Sequence, residues 1–223
     1  NNCKANNIKL YNAQNGGLFA GYVNGTCTIK GGSADIGTIT SRTAVGGGYS
    51  MGGLIGKAES TLNIKETTET PVVSVQNINI RETKDVNSTS NSYAGGVAGS
   101  AASTNIQNVN VEKVRLAGKD LGGLIGCVNG RADVKNVKIS SSYLANCSTT
   151  QNAVGGFFGI INDTFNGFNL LSKANVIGYA VKDNKLLSSV SSDAMSSLSE
   201  NSIGLQLNDS TYATYSSLTA NAT

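Results

Sequence analysis

The residues able to do chemistry in this chain are four cysteines, a scatter of aspartates and several asparagine sequons; histidine is absent. Without histidine there is no Ser-His-Asp type triad, no zincin motif and no ordinary His-based zinc site. Cys3 and Cys27 flank the first of five glycine doublets, and Cys127 and Cys147 lie between the fourth and fifth. Local pairing as Cys3 with Cys27 and Cys127 with Cys147 closes short loops, each bond stabilising by about 3 kcal/mol in the chain-entropy account. Three connectivities are open to four cysteines, and buried free thiols in a reducing compartment are the competing reading. Oxidation is the expectation adopted. No Cys-x-x-Cys spacing occurs, so neither a metal nor a redox cofactor is expected.

Paired carboxylates are the remaining route to catalysis, since a glycosidase needs two of them about 5 to 9.5 Å apart beside a cleft. Asp35, Asp120, Asp133, Asp163 and Asp183 are the candidates. Asp133 and Asp163 fall at equivalent places in adjacent repeats and are the pair to test. The plainer reading, exposed residues at corners of the fold, is preferred, so no enzyme is expected. Sequons stand at Asn24, Asn87, Asn146, Asn162, Asn208 and Asn221. In a chain this rich in Asn, Ser and Thr, chance alone supplies about five, so their number decides little. Asn24, Asn87 and Asn146 fall in expected loops, and Asn146 adjoins Cys147. A lectin-like face needs exposed aromatics, for which Tyr22, Tyr49, Tyr93 and Tyr143 are available.

Composition sets the stage for these groups. Charged residues are 14% of 223, the net charge is +3 and apolar residues are 39%, so the surface is built largely from Ser, Thr, Asn and Gly. A net charge this small without a basic cluster gives no footprint for nucleic acid. The longest apolar run, Val154 to Ile161, is far short of the ~18 residues of a membrane span, so no span is expected. The first residue, Asn1, reads as the start of a processed chain or of a piece of a longer one.

Two phased motifs must position the candidates. Glycine doublets recur as GGLFAG from Gly16, GGLIG from Gly52, GGVAG from Gly95, GGLIG from Gly122 and GGFFG from Gly155. Hexads run beside them: VQNINI from Val75, IQNVNV from Ile106, VKNVKI from Val134 and FNGFNL from Phe165. Both spacings lie in the 20 to 50 range of repeat architectures. Apolar residues at hexad positions one, four and six, with β-branched side chains, read as half-buried strands. The step of three breaks strict alternation, which a bend at Asn77, Asn108 and Asn136 restores, because Asn tolerates turn geometry. The glycine motif supplies a turn and a close backbone approach, leaving Leu54, Ile55, Leu124, Ile125, Phe157 and Phe158 for the core. An insertion containing Pro71 interrupts the phase. The tail carries a short amphipathic pattern through Leu187, Val190, Ala194 and Leu198, then alternation from Ile203 to Leu207, which suits a terminal cap or a linker.

The GGLIG and GGFFG elements followed by VKNVKI-type strands resemble the GLUG-type repeat of large microbial surface and secreted proteins, over about residues 7–170. The resemblance implies β-helical, non-catalytic stalk or presentation modules. The combined expectation is an all-β, right-handed parallel β-solenoid (β-helix) of about five or six irregular coils over residues 1–171. Residues 172–223 form a C-terminal cap or Ser/Thr-rich linker. At ~4.8 Å per coil such a body is short for a free stalk. An extracellular structural or adhesive role follows as the expectation, within a surface filament, a sheath or a larger surface protein. Its expected partners are copies of itself or other surface-protein chains. A polysaccharide-binding or polysaccharide-cleaving protein is the alternative, with a glycan as ligand.

Overall fold

The computed structural model describes residues 2–41, 48–65, 72–81, 91–146, 153–177, 181–182 and 185–186. All regular structure in them is strand. In chain order these are β1 (Cys3–Ala13), β2 (Asn15–Gly17), β3 (Ala20–Val23), β4 (Cys27–Lys30), β5 (Gly32–Ser41), β6 (Tyr49–Gly52) and β7 (Ile55–Lys65). There follow β8 (Val73–Arg81), β9 (Ser92–Gly95), β10 (Ala98–Glu112), β11 (Arg115–Gly118), β12 (Asp120–Gly122), β13 (Ile125–Val128) and β14 (Ala132–Asn146). Last come β15 (Val154–Gly155), β16 (Phe158–Ile161), β17 (Phe165–Ile177), β18 (Val181–Lys182) and β19 (Lys185–Leu186). Among the described residues no helix is long and apolar enough to cross a membrane. Pro71 and the tail patterns from Leu187 onward lie outside the described residues.

Every pairing except the small antiparallel β18 and β19 is parallel. The all-β reading therefore holds, but the right-handed solenoid does not. Strands β8, β11, β14 and β10 close into a four-stranded parallel barrel, each pairing with the next and β10 returning to β8. A separate sheet of five parallel strands runs β15-β12-β9-β6-β2. The physical reason lies in the long strand β10. Its first half pairs with β7 through Ala98 to Ile106 and its second half with β8 through Val109 to Glu112. Between the halves stands Asn108 with φ of 54°. A left-handed residue there turns the strand toward a second partner, and the sheet closes on itself.

The expected bend is thus real. Asn7, Asn77, Asn108, Asn136 and Asn169 all have φ between 52° and 54°. Three of them also form an amide ladder: Asn136 Nδ2 donates to Asn108 Oδ1 at 2.8 Å, and Asn169 Nδ2 donates to Asn136 Oδ1 at 2.9 Å. Inward positions of the first three hexads are buried, for example Val75, Ile78, Ile106, Val109 and Ile139 at 0% exposure.

Two hexad phases need correction. IQNVNV and VKNVKI pair residue for residue, Ile106 with Val134 and Val111 with Ile139. VQNINI does not join them, because Val75 pairs with Val111 and Ile80 with Leu116. On that side its partner is VEKVRL, whose Lys113 occupies the bend with φ of 53°, and on the other side it pairs with β5. The fourth hexad is displaced by two residues, since Val134 faces Gly167 and Val137 faces Leu170. Phe165 and Phe168 therefore fall out of the core and are 45% and 66% exposed. A Cβ on Gly167 would lie 2.6 Å from Phe165 Cζ, so that ring closes over the gap the glycine leaves.

Candidate functional site

Of the candidate carboxylates, Asp133 and Asp163 both act on the Arg131 guanidinium, Asp133 through a hydrogen bond and Asp163 through its charge alone. Asp133 pairs in register with Asn166 and takes hydrogen bonds from Arg131 Nε at 2.6 Å and Asn166 Nδ2 at 2.8 Å. The Arg131 hydrogen bond, then that of Asn166, holds its carboxyl below the usual range. A lowered proton affinity is the opposite of what a general acid needs. Asp163 is exposed in the bend before β17, and Asp35 accepts from Asn77 Nδ2 at 2.8 Å. Asp183 lies outside the described residues. Among the described residues no three Cys, Asp or Glu side chains are grouped to hold a metal ion.

The thiols differ in burial. Cys3 is exposed, Cys27 half-buried and Cys127 buried, and all three are free. Burial pushes the Cys27 and Cys127 thiols up, away from nucleophilic thiolate. Cys147 lies outside the described residues, as do the sequons at Asn87, Asn208 and Asn221. Asn24 is exposed in a bend between β3 and β4, and Asn146 ends β14. Exposed Asn162 donates its amide to Asn129 Oδ1 at 3.2 Å. Of the four tyrosines considered for a lectin face, Tyr49 and Tyr143 are buried at 2% and 3% exposure, and Tyr22 is exposed.

Tyr93 marks the arrangement that the sequence did not disclose. It stands in a row across the five-stranded sheet, in register with Ser50 and Asp120, and Asn15 continues the row beyond Ser50. A second row in the larger sheet, Tyr22, Lys57, Ser100 and Cys127, runs beside it. The Ser50 and Ser100 hydroxyls join the rows by a buried 2.7 Å hydrogen bond. Beyond that contact a groove of about 620 Å³ opens, lined by Asn15, Tyr49, Asn91, Tyr93, Lys57 and Asn129 among others. Lys57 Nζ is 2.6 Å from Glu59 Oε1, which also accepts from the Tyr22 hydroxyl. Burial, with the Cys127 thiol and Asp120 carboxylate beside it, pushes the Tyr93 phenol up to about 12. It is a neutral hydrogen-bonding group at any physiological pH. The signal for this site was a polar side chain just before each of the first four glycine doublets, Asn15, Ser50, Tyr93 and Asp120, which a uniformly Ser- and Asn-rich background hides.

A second groove, about 410 Å³, lies along β17 and is lined by Phe165, Asn166, Phe168, Lys135 and Asn105 among others. Lys135 Nζ sits 5.8 Å from the Phe168 ring centroid, and Phe165 meets Phe158 edge-on at 5.5 Å.

Asp120 provides a stability test beside the first groove. It is half-buried and accepts the Ala153 N–H at 2.9 Å. Burial raises its pKa, although the Ala153 hydrogen bond and Lys119 act the other way. A raised carboxylate costs the fold nothing while protonated in both states, then costs progressively more from the ordinary aspartate pKa to its own raised value. Asp120→Asn keeps the acceptor and removes the buried charge. The variant is expected to be at least as stable as the native chain at pH 7, with the difference closing below pH ~4; denaturant titrations showing a larger advantage at pH 3 than at pH 7 would refute this.

No family model, curated protein or solved structure matches this chain.

Proposed function

We propose that the chain is a non-catalytic extracellular structural or adhesive module, working as a subunit of a surface filament or sheath or as a segment of a larger surface protein. The observation that carries this reading is the use made of the polar side chains. Asn108, Asn136 and Asn169 bond to one another from repeat to repeat, as do Asn129 with Asn162, Asp133 with Asn166 and Thr61 with Ser103. Such ladders fix strand register and leave these groups committed to shape. The motifs resembling GLUG-type repeats of microbial surface proteins favour the same reading.

Open edges supply the means of assembly. Among the described residues β1 pairs with β5 alone, and β17 with β14 alone. Each presents backbone N–H and C=O groups along more than ten residues, and long exposed edges are templates for another chain. Electron microscopy and sedimentation of the full chain are expected to show concentration-dependent linear assemblies, or stable attachment to neighbouring segments in a longer native chain. A species that is monomeric at all concentrations and cleaves polysaccharide, with cleavage abolished by Asp133→Asn or Asp163→Asn, would replace this reading by the enzymatic one.

A further inference from the structure

We infer that the groove bounded by Asn15, Tyr93 and Asn129 is a binding site for a neutral saccharide, the ligand of the adhesive module proposed above, on which this inference rests. Four features point the same way. The first is size: at about 620 Å³ the groove falls within the range of small-ligand sites. The second is charge. Lys57, the cation on its wall, is neutralised by Glu59 at 2.6 Å, so the groove offers no excess positive charge to a phosphate or carboxylate. The third is the type of group presented. Asn15 carries both a donor and an acceptor, the pairing that a sugar hydroxyl needs, since it also does both, and Asn129, whose Oδ1 is held by Asn162 and Cys127, keeps its amide N–H groups as donors. Tyr93, half-buried against Cys127, adds a phenol and an aromatic body for the apolar C–H side of a pyranose ring.

The fourth feature is rigidity. The Ser50 and Ser100 hydroxyls bridge the two sheets at 2.7 Å. Next to them, a Cβ on Gly99 would stand 2.2 Å from Met51 N, so the sheets touch backbone to backbone. The strands that carry Asn15, Lys57 and Tyr93 are therefore fixed against one another before any ligand arrives, which lowers the ordering that weak polar contacts must offset. The aromatic groove on β17 lacks this definition, because its exposed phenylalanines fit any apolar cover.

The test begins with the full chain on an array of neutral oligosaccharides, including gluco-, galacto-, manno- and N-acetylglucosamine series, followed by calorimetric titration of the strongest binder. Tyr93→Ala is expected to weaken binding about tenfold or more, and Asn15→Ala and Tyr93→Phe by about threefold to tenfold, the loss of one or two hydrogen bonds. Phe168→Ser, in the other groove, leaves affinity unchanged. Thermal melts confirm that each variant folds; should Tyr93→Ala not fold, Tyr93→Phe and Asn15→Ala carry the test. Array silence from the folded chain overturns the site, and so does binding that survives the Tyr93 and Asn15 changes but falls with Phe168→Ser. Assembly without glycan binding overturns the site and leaves the structural reading standing. Turnover of the bound glycan overturns the non-catalytic reading instead.

Discussion

Gly99→Ala is expected to lower the thermal midpoint by about 10 °C, the consequence of roughly 3 to 5 kcal/mol of overpacking in a domain of this size. Gly25→Ala is the matched control, because nothing lies within 4 Å of the added Cβ there. The difference arises from a column of glycines. Gly21, Gly56, Gly99, Gly126 and Gly159 stack in register, as their flanking pairs show: Ala20 with Ile55, Ile55 with Ala98, Ala98 with Ile125, and Ile125 with Phe158. A Cβ on Gly99 would meet Met51 N at 2.2 Å, Ser50 C at 2.6 Å and Gly56 O at 2.7 Å. All three are backbone atoms, which cannot rotate aside as a side chain can. Relief requires moving the five-stranded sheet, and that sheet carries Met51, Ala94 and Leu121 into the core. Calorimetric or circular-dichroism melts decide the matter. A Gly99→Ala midpoint within about 2 °C of the native chain means that the sheets have slack, and that the glycines are mere turn formers.

This contact was legible in the sequence in kind, though not in extent. A doublet followed by two or three residues and another glycine predicts a turn and a close approach, and Leu54, Ile55, Leu124 and Ile125 are fully buried as that motif requires. Phe157 and Phe158 are half-buried, since they belong to the last repeat of the described stack and have nothing paired beyond them among the described residues. The hexads were harder to place. VQNINI and IQNVNV look like one motif at one spacing, yet the first pairs with VEKVRL, where Lys113 replaces the asparagine and hides the kinship. Two interleaved families of bent strands share one sequence pattern. A single family gives a regular coil, whereas two families allow β10 to serve two partners and close a barrel. FNGFNL failed for a related reason: two phenylalanines and a leucine suit the inward positions by hydropathy. The asparagine ladder decides the register instead, pairing Asn169 with Asn136. The groove beside Tyr93 was invisible because its serines and asparagines match the composition of the whole surface.

The bend column yields the other large effect, and it can be moved in both directions. Asn136 has φ of 53° and bonds to Asn108 and Asn169. Alanine at that position loses two amide hydrogen bonds of about 1 kcal/mol each and keeps a left-handed backbone that costs a Cβ-bearing residue about 1 to 2 kcal/mol. The expected loss is about 3 kcal/mol. Asn136→Gly loses the bonds but accepts the backbone, at the expense of roughly 0.5 to 1 kcal/mol in unfolded-chain entropy, so it falls between. In the neighbouring column Ile36 stands between Asn7 and Asn77, with φ of 54° and 51% exposure. A β-branched side chain is the worst occupant of that conformation. Unable to bond to Ile36, the Asn77 amide reaches past it to Asp35 Oδ1 at 2.8 Å. Ile36→Asn gives up about 1 kcal/mol of half-buried apolar surface. It removes strain of about 1 to 2 kcal/mol and restores a hydrogen bond worth about 1 kcal/mol. The balance is a gain of about 1 to 2 kcal/mol, read as a midpoint about 4 °C higher. Denaturant melts of the three variants should rank Ile36→Asn above the native chain, then Asn136→Gly, then Asn136→Ala. Equal losses for the Gly and Ala variants would remove backbone strain from the account. A destabilised Ile36→Asn would show instead that the apolar side chain, and not the bend, governs that position, and the amide ladder would then be a consequence of the fold and no longer one of its causes.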